Sequence, residues 1–248
     1  GAAFIYFGGP ALAQSGTAVT LVGNAPGDGL GTTVANAGDV NGDSFSDLLV
    51  AAVNGSGLGY VFLYWGGRAF DKTPDQEFSG EAAGDWFGES CAAAGDVNAD
   101  GYGDVLIGAF ANDGVGIDGG RAYLYLGGPA GVAPTPEMIL TGAATGDYFG
   151  TLVAGVSDLN GDAIDDFVVG AARSDAAGTD AGAVYVFFGW GGGAADAIPD
   201  GILTGSAADD RFGIAVASLA PPYVRRMAIW AGASLAPRAR LAIASAVR

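Results

Sequence analysis

Short apolar runs rich in Val, Ile, Leu, Tyr and Phe recur along the chain, bounded by Gly, Asp, Asn or Pro. Runs of this kind between turn-forming residues predict β-strands, and no segment sustains a helical period. The runs come in ordered sets. DLLVAAV, DVLIGAF and DFVVGAA are followed by GYVFLYWGG, RAYLYLGG and AVYVFFGW, and units close on segments such as EMILTG or DGILTG. Upstream of each set stands Phe87-Gly88, Phe149-Gly150 or the weaker Leu30-Gly31. Each unit therefore reads as four strands.

A four-stranded antiparallel sheet of this size cannot bury both faces by itself, whereas sheets packed around a common axis can. The expected fold is all-β, a β-propeller of four-stranded antiparallel blades with about four blades in this chain. Small residues in SCAAAGD and TLVAGVSD suit the region where blades converge. Residues 1–26 supply the outer strands of a shared or closing blade; 27–83, 84–145 and 146–207 are blades with a polar loop; 208–248 is a degenerate blade. Pairing of the late first and second strands with the early third and fourth would close a ring of four and leave no open edge. Blades of a larger propeller are the alternative.

The polar loop is the most informative motif. DVNGDSFSD, DVNADGYGD and DLNGDAIDD begin at Asp39, Asp96 and Asp158, nine residues after Leu30, Phe87 and Phe149 respectively. Carboxylates at such spacing repel one another unless a cation lies among them. As a hairpin loop between the first and second strands, the motif brings side-chain oxygens at positions 1, 3, 5 and 9 and the carbonyl at position 7 toward one point. The candidate ligands are Asp39, Asn41, Asp43, Phe45 and Asp47; Asp96, Asn98, Asp100, Tyr102 and Asp104; and Asp158, Asn160, Asp162, Ile164 and Asp166. An all-oxygen shell in a flexible loop suits Ca²⁺ better than Mg²⁺, giving three expected Ca²⁺ sites. An EF-hand is excluded, because position 12 is Val50, Ile107 or Val169 within a predicted strand. Asp-Asn-Gly clusters also form turns without metal, but threefold recurrence of the same donors favours an ion.

Phe-Gly, then DxNxDxxxD, then VGA or IGA, then a GxVYV-like strand resembles the FG-GAP repeat of integrin α-subunit propellers and their bacterial and secreted relatives. The resemblance covers nearly the whole chain. It implies an extracellular or cell-surface Ca²⁺-dependent propeller with metal loops on one face and ligand-binding loops on the other. A bacterial or secreted relative is expected rather than a true integrin, since Ser44 and Ala163 replace Gly at loop position 6, Ala99 replaces it at position 4, and there are about four repeats, not seven.

Composition removes several alternatives. The chain has no histidine and one cysteine, Cys91, in an apolar run. Imidazole bases, Ser/His or Cys/His nucleophile pairs and ordinary zinc sites are thereby excluded. No apolar stretch reaches the ~20 residues of a membrane helix, and ALAQSG reads as folded structure in a chain that starts after any targeting signal. Residues 1–220 hold all 27 acids and five bases, a balance of −22, which repels nucleic acid. Residues 221–248 hold five Arg and no acid. They read as a degenerate blade or a basic interaction arm, and Pro221 ends the ligand pattern.

The loops between second and third strands, with those before each first strand, should form the opposite rim. Trp86, Asp113, Asp118, Tyr148, Asp175 and Asp180 are the candidate partner-binding residues there, although the Asp residues could equally cap turns and the aromatics pack between blades. The leading expectation is a protein- or glycan-binding adhesion module with structural Ca²⁺. Alternatives are an assembly unit that self-associates through its terminal blades, or an accessory propeller of a larger secreted hydrolase. Catalysis by the chain itself is not expected, because Asp165 and Asp166, adjacent on a strand, point to opposite faces.

Overall fold

A computed structural model describes residues 1–6, 19–67, 70–219, 226–231 and 241–245. ALAQSG, Pro221 and most of the Arg-rich tail lie outside the described residues, and so do the expectations placed on them.

Among the described residues every regular element is a strand. The hairpin β1 (Ala2–Ile5) and β2 (Val19–Val22) comes first. Three four-stranded antiparallel sheets follow. The first holds β3 (Leu30–Gly38), β4 (Asp47–Ala52), β5 (Tyr60–Tyr64) and β6 (Gln76–Ser79). The second holds β7 (Phe87–Gly95), β8 (Asp104–Ala109), β9 (Arg121–Tyr125) and β10 (Met138–Thr141). The third holds β11 (Phe149–Ser157), β12 (Asp166–Ala171), β13 (Ala183–Phe187) and β14 (Gly201–Thr204). The chain then forms a three-stranded sheet of β15 (Phe212–Leu219), β16 (Arg226–Ala231) and β17 (Leu241–Ser245).

Strands pair in simple meander order within each sheet, and the first strands β3, β7, β11 and β15 lie against one another. Small residues permit that approach. A Cβ on Gly155 would lie 2.5 Å from the Ala94 carbonyl oxygen. The expected all-β architecture of propeller blades is borne out.

Hydrophobic cores lie between successive sheets. Phe78, Phe87, Ile107 and Tyr125 fill the first such interface, with the Phe78 and Tyr125 ring centroids 4.7 Å apart. Leu106, Phe149, Phe167 and Tyr185 fill the next, where Phe149 meets Tyr185 edge-on at 5.2 Å. Full burial of each such side chain contributes about 1.5–3 kcal/mol. The aromatic residue of each Phe-Gly pair is thus a packing residue: Phe87, Phe149 and Phe212 are all buried.

The glycine of that pair has a backbone reason. Gly88, Gly150 and Gly213 have φ of +87°, +88° and +90°, at a register shift in the strand. A side chain at Gly150 would meet the Arg121 carbonyl oxygen of the preceding sheet at 2.1 Å. Only glycine satisfies both the left-handed φ and that close approach.

Among the described residues, the pairing of terminal strands expected to close a four-blade ring is not seen. Among the described residues, β1 and β2 pair only with each other, and β16 takes β17 on the edge that β1 would have needed. The tail strand, closer in sequence, occupies that edge instead.

Candidate functional site

The nine-residue motif is the hairpin loop joining first and second strands in three successive sheets. Its backbone wraps around the side chain at position 1. In the first loop the Gly42 and Asp43 N–H groups donate to Asp39 Oδ1 at 2.8 and 3.0 Å, and Ser44 N–H donates to Oδ2 at 2.8 Å. Asn41 Oδ1 accepts from Asp43 N–H, while Asn41 Nδ2 donates to Asp43 Oδ2 at 3.3 Å. In the other two loops Asp96 Oδ1 accepts from Asp100 N–H and Asp158 Oδ1 from Gly161 N–H, the position 6 N–H again donates to Oδ2, and both Asn–Asp bonds recur between Asn98 and Asp100 and between Asn160 and Asp162. Phe45, Tyr102 and Ile164 donate their N–H groups to the position 5 carboxylates.

Two positions in this turn are left-handed. At position 4, Gly42, Ala99 and Gly161 have φ of +78°, +60° and +100°; at position 6, Ser44, Gly101 and Ala163 have +70°, +92° and +72°. The departures from glycine at Ala99, Ser44 and Ala163 therefore fall where a Cβ is strained.

Position 9 has a different environment from the other three carboxylate or amide donors. Asp47, Asp104 and Asp166 are buried, and each carboxylate is held at both oxygens. Asp104 accepts from Val97 N–H and Gly127 N–H, both at 2.9 Å, so it ties its own loop to the turn after β9. Asp47 and Asp166 repeat this with Val40 and Gly66, and with Leu159 and Gly189. Burial pushes the Asp104 carboxyl up to about 7 against the pull of those N–H bonds, and the nearby Asp100 and Asp96 charges push the same way. Asp47 and Asp166 are raised for the same first reason.

Among the described residues, no group of three or more His, Cys, Asp or Glu side chains is gathered into a metal cage. The donor chemistry nevertheless fits a hard cation. Each tip holds two carboxylates and an amide oxygen partly open to solvent, backed by a buried third carboxylate. In the first two loops no Lys or Arg among the described residues forms an ion pair with them. The loops also join neighbouring sheets: Gly103 N–H donates to Asp39 O at 2.8 Å, and Trp190 N–H to Val97 O at 2.7 Å.

At the opposite rim the six candidate residues fall into two groups. Asp113 Oδ1 accepts from Asp118 N–H at 3.0 Å, and Asp175 Oδ1 accepts from Asp180 N–H at 2.8 Å. These carboxylates close the long loops after β8 and β12. Trp86 and Tyr148 belong instead to a row of stacked groups. Trp86 and Phe110 have centroids 6.0 Å apart, Phe110 and Tyr148 5.2 Å, and the Arg173 guanidinium sits 4.4 Å over the Tyr148 ring.

Beneath that rim lie polar residues the motif search did not single out. Asp85 is buried, accepts from Asn112 Nδ2 at 2.7 Å and from Ala82 N–H at 3.1 Å. Asp147 accepts from Ala144 N–H in the equivalent place. Glu81 pairs with Arg121 at 2.7 Å. The available signal was the Asp that recurs immediately before Trp86, Tyr148 and Arg211.

Asp165 and Asp166 serve separate neighbours, as strand alternation predicts. Asp165 Oδ2 accepts from Asp96 N–H of the preceding sheet at 3.1 Å, while Asp166 holds its own loop. Cys91 is buried, and burial pushes its thiol up to about 12, so it is not a thiolate at neutral pH.

Repeated four-stranded sheets converging on their first strands, with bracing loops at one end, define a β-propeller-type repeat protein. Comparison with known proteins gives the family. The family model described as FG-GAP-like repeat matches residues 39–107, and that described as FG-GAP repeat matches 149–187. Integrin alpha-5 of Xenopus laevis is 36% identical over 174 residues, covering 68% of this chain and 16% of that protein. Integrin alpha-4 of Xenopus laevis is 32% identical and integrin alpha-8 of Mus musculus 36% identical, each over 149 residues, 57% of this chain and 14% or 13% of theirs. The chain belongs to the FG-GAP, integrin α-like propeller family and spans less than a fifth of the length of these relatives.

Proposed function

We propose that this chain works as an extracellular or cell-surface adhesion module that binds a protein or glycan partner, with Ca²⁺ held structurally in three hairpin loops. The observation that carries the reading is the threefold tip cluster. Asp39, Asn41 and Asp43, with their counterparts in the next two sheets, repeat the position 6 N–H bond to position 1 and both bonds between positions 3 and 5, and so gather carboxylates that repel one another at each tip. A dication offsets that repulsion, and because the same loops bond to adjacent sheets, binding there stabilises the whole array by mass action. Phe45, Tyr102 and Ile164 would add the backbone carbonyl of position 7.

Partner binding is assigned to the opposite rim, where Trp86 remains 38% exposed and stacks on Phe110, which also meets Tyr148. No catalytic role is assigned to the chain. A protein and glycan array, read in calcium and again in chelator, tests the module. Calcium-dependent capture by a defined class supports it; no capture of any class in either buffer contradicts it.

A second reading has its own observation. Among the described residues, the β1–β2 and β15–β16–β17 sheets hold fewer strands than the three between them, so an assembly unit that pairs terminal sheets is the competing proposal. Sedimentation equilibrium separates the two, since a monomer at high concentration removes assembly.

A further inference from the structure

Arg211 stands where two earlier sheets place an aromatic residue. Trp86, Tyr148 and Arg211 each immediately precede the Phe of a Phe-Gly pair, and all three have left-handed backbones, with φ of +59°, +58° and +48°. The strain is held by hydrogen bonds from the preceding sheet's long loop: Tyr148 N–H donates to Asp118 O at 3.2 Å and Arg211 N–H to Asp180 O at 3.1 Å. Side chains at these positions are thereby fixed in direction. Between Tyr148 and Arg211 lies a cavity of about 340 Å³, lined also by Glu89, Phe110, Arg173 and Ile214.

In a body that carries −22 over residues 1–220, two of the five bases meet at this one cleft. Neither Arg173 nor Arg211 forms an ion pair among the described residues, although Glu89 lies on the same wall. The Arg173 guanidinium carbon lies over the Tyr148 ring, 4.4 Å from its centroid, and that ring is itself tilted against Phe110. Stacking of that kind orients the planar fork and leaves its N–H edges for an acceptor.

We propose that this cleft is an anion subsite, in which Arg173 and Arg211 receive a carboxylate side chain presented by a protein partner and Phe110 and Ile214 contact the apolar residue beside it. The inference rests on the ligand-binding reading of the rim and names the chemistry the rim takes. A polyanion is excluded by the surrounding charge, which a single carboxylate tolerates. A stacked sugar ring fits less well, because the Tyr148 ring is already engaged by Arg173 and Phe110, and the groups left to meet a ligand are guanidinium donors.

N-acetyl-Asp-Phe-amide, titrated into the full chain in calcium buffer and followed by amide shifts in NMR, tests the subsite, with N-acetyl-Asn-Phe-amide and glucuronate as comparisons. Saturable binding of the aspartyl probe is expected, absent for the asparaginyl probe and weakened at least about tenfold in R173Q and in R211Q. K72Q, at an exposed lysine away from the cleft, should bind as the parent does. Thermal melts establish that each variant is folded. Equal binding of both dipeptides, undiminished binding in both arginine variants, or saturation by glucuronate alone overturns the proposal. A protein partner found on the array that survives R173Q and R211Q but is lost in D118A would remove the subsite and keep the adhesion module. An empty array beside an arginine-dependent dipeptide titration would do the reverse.

Discussion

The two ends of the sheets use aspartate in opposite ways. At the rim before each first strand, Asp85 and Asp147 are buried against N–H groups of their own turn, and Asp85 is further satisfied by the Asn112 amide. Those carboxylates are supplied with protein donors. At the first hairpin tip the side chains of positions 1, 3 and 5 lie together, and among the described residues backbone N–H groups and the Asn41 amide are what offset their charge. The same residue type is therefore satisfied by protein donors at one end and, on the proposed reading, completed by a cation at the other. What distinguishes them is whether donors in the protein suffice for the charge gathered there.

Position 9 sits between these cases and sharpens the comparison most. Replacing Asp104 with Ala leaves the buried Val97 N–H and the partly buried Gly127 N–H unpaired, which should destabilise the protein by roughly 2–4 kcal/mol in calcium and in chelator alike. Chemical denaturation in the two buffers measures it. A loss confined to calcium buffer would mean that Asp104 acts only through metal.

Asp100→Ala probes the tip of the same loop. It should lower the melting temperature in calcium and change it little in chelator, because Asp100 is exposed and bonds only to loop atoms. Equal loss in both buffers contradicts a metal role for that residue.

A third effect follows from pH in chelator. Asp104 in the folded state keeps its proton up to about 7, whereas its ordinary value is 3.8. The native state then binds more protons than the unfolded one between those values, so stability from this group is fullest below about 4 and lost as pH rises toward about 7. Denaturation midpoints at a series of pH values should show that slope, and Asp104→Asn should flatten it. A slope unchanged in the variant would assign it to other groups.

The smallest expected effect comes from backbone strain. Ser44→Gly and Ala163→Gly place glycine at φ near +70° and should each stabilise the protein by up to about 1 kcal/mol, measured by thermal melts. Destabilisation by either would show that the side chain does something the turn requires.

Much of this was legible in the chain itself, and the reasons are local. Strand positions could be read because each apolar run ends at a Gly, Asp or Asn with a definite turn geometry, and the Phe-Gly pair marks a bulge that only glycine fits. The shared loop pattern was visible because position-specific donors recur three times. The burial of Asp47, Asp104 and Asp166 was not, since spacing treats all four donors alike and cannot say which one lies beneath the loop. Ring closure misled for a comparable reason: strand-like runs at both termini look complementary, but which edge a strand takes depends on competition with β17. The Arg173–Tyr148 stack involves groups brought together only by sheet packing, with no signature in sequence spacing.

Calorimetric titration of the metal-free chain with Ca²⁺ tests the central claim most directly. Three bound ions per chain, with a melting temperature that rises with calcium and falls on chelation, are predicted. No heat of binding and a melting temperature indifferent to chelator would contradict it.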